Sequence, residues 1–173
     1  MKQIFRATLC ALALTTLTAS SYAKPKKVAA TFTDADKKFL MDDAQGSIFD
    51  FSLAQLAAGR AKSPALHRYG LELIADHARL NARLLTLGRA KGLALPVLIS
   101  DDDKLKIVGL QQKSGGDLDR ALIAQFVETN AKDAEDGRKE LLTTHDPATR
   151  SAVSEFVLTE RKHLAQARQL KGS

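Results

Sequence analysis

Residues 63–91 read SPALHRYGLELIADHARLNARLLTLGRAK, and this stretch decides the fold. Ser63 is an N-cap residue, because its hydroxyl can accept from an orphan backbone N–H of the first turn. Pro64 follows at the first helical position, where a missing N–H costs nothing. The apolar seam is Leu66, Gly70, Leu73, His77, Leu80, Leu84 and Leu87, in alternating steps of four and three. That is the spacing of one helix face packed between neighbours. Gly92 stands where a left-handed residue closes a helix, and Pro96 lies just beyond. The predicted helix spans about 28 residues, on the order of 40 Å at 1.5 Å per residue. Helical bundles use helices of that length. His77 lies within the seam, among Leu73, Ile74, Leu80 and Asn81, so it needs a hydrogen-bond partner or a metal.

The preceding segment predicts a second long helix starting at Thr33 or Asp34. Thr33 and Asp36 have the spacing of a capping box. From Ile48 to Ala58 apolar residues fall on nearly every face, which marks a buried helix, yet Asp50 is set among them without a basic neighbour in its own helix. The short link to Ser63 makes these first two helices antiparallel. Downstream, LALPVLISDDDK reads as a loop leading into a short helix from about Asp101 to Lys113, broken by Ser114-Gly115-Gly116. A long helix follows from about Asp117 to Thr144, with Asn130 as the polar break in its seam. Asp146 then caps a last helix with Pro147 at its first position, running to about Leu170. Its seam is Val153, Phe156, Glu160, His163, Ala167 and Leu170, so Glu160 and His163 share a face.

The front of the chain carries a different signal. Residues 1–23 have the charged start, apolar centre and Ser21-Tyr22-Ala23 cleavage site of a secretory signal peptide. Cys10 lies inside that segment, so the mature chain has no thiol and no disulfide. Residues 24–32 read as a disordered basic lead-in, and residues 33–173 as one helical-bundle domain. The whole chain has 26 Lys+Arg against 20 Asp+Glu, a formal charge of +6. Losing Lys2 and Arg6 with the signal leaves +4, spread along helix faces, which excludes a nucleic-acid role for an exported protein. No strand periodicity, nucleotide-binding glycine motif or nucleophile elbow is present. No transmembrane segment is expected after cleavage.

Counting from the two hairpin turns sets the heights of the polar seam residues, at 1.5 Å per residue. Asp50, His77, Asn130, Glu160 and His163 all fall near mid-bundle on inward faces. The favoured reading is that these five satisfy one another and fix helix register. The alternative is a metal site in which Asp50, His77, Glu160 and His163 hold a single zinc, iron or manganese ion, with Asn130 behind them. His67 and His145 lie near helix ends and receive no role.

With these residues in place, the chain resembles a bacterial family of exported domains of unknown function, often labelled "predicted outer membrane protein", with a ferritin-like four-helix fold. The resemblance rests on Ala44-Gln45-Gly46-Ser47-Ile48-Phe49-Asp50 with Leu53-Ala54-Gln55-Leu56-Ala57. It also rests on Ser63-Pro64 with Ile74-Ala75-Asp76-His77, on Leu93-Ala94-Leu95-Pro96, on Ser114-Gly115 with Leu118-Asp119-Arg120, and on His163. The family pattern has Glu at Asp50, His at Asn130 and Leu-Pro at Val157-Leu158, so this chain departs at those positions. The resemblance implies an all-α, ferritin-like four-helix bundle with one short extra helix in the crossover between the second and third long helices. The expected function is that of a soluble periplasmic, non-catalytic module that binds an envelope protein or small ligand, related to envelope stress. The alternative is the mid-bundle metal site.

Overall fold

Long amphipathic seams separated by capped turns give an all-helical chain. The computed structural model describes residues 31–172, and among them there are five helices and no strand. They are α1 (Asp34–Arg60), α2 (Pro64–Ala90), α3 (Asp101–Gln111), α4 (Gly115–Thr143) and α5 (Pro147–Lys171). The signal segment and the basic residues 24–30 lie outside the described residues.

The helix ends follow the local chemistry. At α1, Thr33 Oγ1 accepts from Asp36 N at 3.2 Å, and Asp36 Oδ2 accepts from Thr33 N at 2.6 Å, which closes the capping box. Ser63 caps α2 ahead of Pro64, and Asp146 caps α5 ahead of Pro147 by accepting from Thr149 N at 2.8 Å. Gly92 takes a φ of 71°, the left-handed turn that ends α2. The break before α4 is tighter than the sequence suggested: the chain turns at Gly115 and the helix starts there rather than at Asp117.

The four long helices pack along one another, α1 on α2 and α4 on α5 as hairpins, with α1 also against α4 and α2 against α5. Two glycines set the hairpin spacing. A Cβ at Gly70 would lie 2.7 Å from Ala58 N, and one at Gly137 would lie 2.5 Å from Val157 Cγ2, so both pairs approach too closely for a larger residue. Asp36 of α1 meets Thr144 just after α4, and the amides of Lys62 and Ser63 meet Asp119 of α4, so α1 and α4 are antiparallel. It follows that α2 and α4 run the same way. The segment from Lys91 to Ser114, with α3 in it, returns the length of the bundle between them.

Apolar layers flank the middle. Leu53, Leu66, Leu73, Leu118, Leu122 and Phe126 fill the end near the α1–α2 turn. Leu40, Ala44, Leu84 and Leu87, with Leu80, Val153, Phe156 and Val157, fill the other. Among the described residues no helix is long and apolar enough to cross a membrane.

Candidate metal centre

Between those layers the helices carry polar side chains. His77 of α2, Glu160 and His163 of α5 and Asn130 of α4 have no solvent exposure, and Asp50 of α1 has 2%. The i, i+3 spacing of Glu160 and His163 puts both on the face of α5 that meets α2. One donor atom from each of His77, Glu160 and His163 lies within 4.8 Å of the other two. The imidazole centroids are 5.4 Å apart, tilted by 44°.

Each histidine is held by one ring nitrogen and leaves the other free. His163 Nε2 lies 3.0 Å from Asp76 Oδ2, and Asp76 is in turn bound by Arg79 at 3.3 Å and Lys162 at 3.2 Å. His77 Nδ1 lies 3.4 Å from Ser47 Oγ. His163 Nδ1, His77 Nε2 and both carboxylate oxygens of Glu160 are buried without a hydrogen-bond partner. The nearest approach between His163 Nδ1 and Glu160 Oε2 is 3.8 Å, beyond hydrogen-bond length. The network of mutually satisfied side chains expected from the sequence is therefore absent at these atoms. An outer partner that fixes a ring and turns its second nitrogen inward is how proteins orient metal-binding histidines.

Asn130 and Asp50 stand just outside this trio. Asn130 Nδ2 donates to Tyr69 Oη at 2.9 Å, and Tyr69 Oη donates to the His163 carbonyl at 3.0 Å, so the amide braces the α5 backbone. Asp50 lies beside Thr129, Asp133 and Glu160, with Oδ1 unpartnered. Four contributors have no place in the site expected from the sequence: Ser47 and Asp76, which enter only through the family resemblance, and Tyr69 and Asp133. Asp76 and Asp133 have a legible signal, a carboxylate one residue from His77 and another three residues from Asn130.

The electrostatics follow from burial. Desolvation lowers His77 to about 4, with His163 adding to the effect, so it is a neutral imidazole with a free lone pair. Burial also opposes charge on His163, but Glu160 and Asp76 outweigh it and hold that imidazole above the usual histidine range. Burial and the charges of Asp133 and Glu160 push Asp50 well above the usual carboxylate range. Burial raises Asp133 to about 6, with Glu160 adding to it. Carboxyl groups crowded by burial around two imidazoles are an environment that a cation would stabilise.

Comparison with known proteins places the fold. Residues 21–170 match the family described as domain of unknown function DUF4142. No protein of curated function matches the chain. Among solved structures, a DUF305 fragment from Deinococcus radiodurans superposes with a TM-score of 0.72 at 13% identity, covering 81% of this chain and 97% of that one. CopM in its silver-bound form, obtained by co-crystallisation, superposes with a TM-score of 0.64 at 16% identity, covering 78% and 93%. At such identities the likeness is one of fold.

Proposed function

The chain belongs to the DUF4142 family of unknown function, and from that premise we infer that it is a non-catalytic metal-binding protein of the bacterial envelope. The observation that carries this reading is that one donor atom each of His77, Glu160 and His163 lies within 4.8 Å of the others, while His77 Nε2, His163 Nδ1 and both Glu160 oxygens are buried without hydrogen-bond partners. Unpaired buried polar atoms each cost about 1–3 kcal/mol, a penalty a cation would remove at once. Two imidazoles and a carboxylate, with no sulfur, suit a first-row divalent ion, with zinc, iron or manganese ahead of softer metals. Asp76 and Ser47 fix the rings, Asn130 and Tyr69 brace the backbone behind them, and Asp50 supplies a further carboxylate at the edge. CopM holds silver on a similar fold, and the donors here give this chain a harder preference. The periplasm is its proposed compartment, on the strength of the signal-like residues 1–23. Ferritin-like connectivity is the proposed description of the bundle, supported by the antiparallel hairpins and the long return between α2 and α4.

Elemental analysis of protein purified from the periplasm tests this. The expected result is near-stoichiometric metal in the wild type and none in a folded His77→Ala/His163→Ala variant. Zinc at one hundredfold over its Kd should also stabilise the wild type by about 2.7 kcal/mol and the variant not at all. Absence of metal and of zinc-dependent stabilisation in the wild type would reject the reading.

A further inference from the structure

An ion bound by three side chains without solvent exposure needs a way in. A cleft of about 390 Å³ opens between α1 and α4, lined by Asp42, Asp43, Gly46, Asp133, Asp136 and Phe156 among others. A separate cavity of about 20 Å³, lined also by Leu80, Arg83 and Val153, shares Asp43 and Phe156 with it and reaches Ser47. Ser47 Oγ touches the His77 ring. Asp43, Ser47 and Asp50 are spaced by four and three, so they lie along one face of α1, rising about 10 Å from first to last.

We propose that this cleft is the route by which a divalent cation reaches the centre, with Asp43 and Asp133 receiving the ion and Asp50 passing it to Glu160. The inference rests on the metal-binding reading above. Three observations support it. At the outer rim the acids are neutralised, Asp136 by Lys132 at 2.9 Å and Asp42 by Lys38. Deeper in, Asp43 and Asp133 face the same cleft, and Asp133 and Glu160 lie close enough to act on Asp43, so the acids continue from the cleft toward the centre. Asp50 keeps an unpartnered oxygen at 2% exposure between Asp133 and Glu160. The groove on the opposite side, between α2 and α5, is less suited. Its one carboxylate, Glu72, is paired with Lys162 at 2.5 Å beside Arg68, and Tyr69 lines it with its hydroxyl committed to Asn130 and the His163 carbonyl.

Gly46 makes the route testable. It lines the cleft, and a Cβ built on it meets no atom within 4 Å. Gly46→Leu should therefore fill the passage without displacing the core. Stopped-flow uptake of zinc ion by the purified protein, and its release to a chelator, read the effect. The expected result for Gly46→Leu is uptake and release both slowed on the order of tenfold, with zinc stoichiometry and Kd retained, because a plug raises the barrier in both directions. Asp43→Asn/Asp133→Asn should slow uptake about tenfold at low salt and flatten its dependence on ionic strength. Wild-type rates in a folded, zinc-loaded Gly46→Leu protein would overturn the route while leaving the metal centre intact. If that variant does not fold, unchanged rate and salt dependence in the Asn pair would do the same. Failure of the wild type to bind zinc would overturn the centre and the route together.

Discussion

Two layers among the described residues of this bundle bury polar groups in opposite ways. At the end near the α4–α5 turn, Asp36, Thr144, Asp146 and Thr149 are all at most 6% exposed. Their oxygens are occupied. Asp36 Oδ2 takes the Thr33 amide and hydroxyl, and Asp36 Oδ1 takes the Thr144 hydroxyl. Asp146 takes the Thr149 amide and hydroxyl at 2.8 and 2.9 Å and pairs with Lys91 at 2.5 Å. At mid-bundle, His77, Glu160, His163 and Asp50 are equally buried and their inward atoms are bare. A layer whose polar atoms find each other is a structural device that caps helices and fixes register. A layer whose outer atoms are anchored and whose inner atoms are left open is a receptacle. Burial is common to both layers, and the disposition of the remaining lone pairs separates them.

The sharpest way to break this contrast is Asp36→Ala. One carboxylate there serves the Thr33 amide, its hydroxyl and Thr144 together, and its loss strands a helix cap and a buried hydroxyl. The expected cost is about 2–4 kcal/mol in denaturant unfolding, with zinc binding unchanged. A loss of zinc binding from this variant would show that the two layers are coupled and that the distinction fails.

The smaller test runs the other way. Asp50 is a buried carboxylate pushed upward by desolvation and by Asp133 and Glu160, so at neutral pH it opposes the metal-free fold. Asp50→Asn removes the charge conflict, and the new amide can donate toward Asp133. Metal-free protein should become more stable by about 1 kcal/mol, while zinc affinity falls about tenfold. Destabilisation of the metal-free protein instead would place Asp50 with Asp36 as a structural group.

Much of this was legible in the chain itself, for reasons that name its limits. Caps are local chemistry, so Thr33 with Asp36, Ser63 with Pro64, Gly92, and Asp146 with Pro147 all gave their helix ends directly. The meeting of His77 with Glu160 and His163 followed from rungs counted from the hairpins, because helix rise is constant. Ring orientation was not accessible that way. Adjacent helix residues diverge by about 100°, so the seam that holds His77 leaves Asp76 on another face. It lies instead at the α2–α5 boundary, where it holds the ring of His163 while His77 points inward. Asp133 sits in the charged run KDAEDGRKE, whose pattern reads as a solvated face. Only the packing of α1 against α4 turns it toward Asp50. The sequence also favoured mutual satisfaction at mid-bundle, and a gap of 3.8 Å between His163 and Glu160 is beyond what counting can resolve.

The finest test comes from a bare atom in the satisfied layer. Glu140 Oε1 has no partner, and burial together with the neighbouring Asp36 raises this carboxyl to about 7. A carboxyl with a folded pKa above its unfolded value binds its proton more tightly in the native state. Between about pH 4.5 and 7 the folded protein therefore holds more protons than the unfolded one, and stability declines as pH rises through that window. Asp36 has the opposite sign: its hydrogen bonds outweigh burial and hold it below the usual range, so its contribution is lost only in stronger acid. Unfolding of metal-free protein, followed from pH 5 to 8, should show a decline in stability that Glu140→Gln removes, since the amide keeps the shape without the titration. If the decline persists unchanged in Glu140→Gln, the slope originates in the mid-bundle carboxylates. In that case added zinc, which binds those groups deprotonated, should be what flattens it.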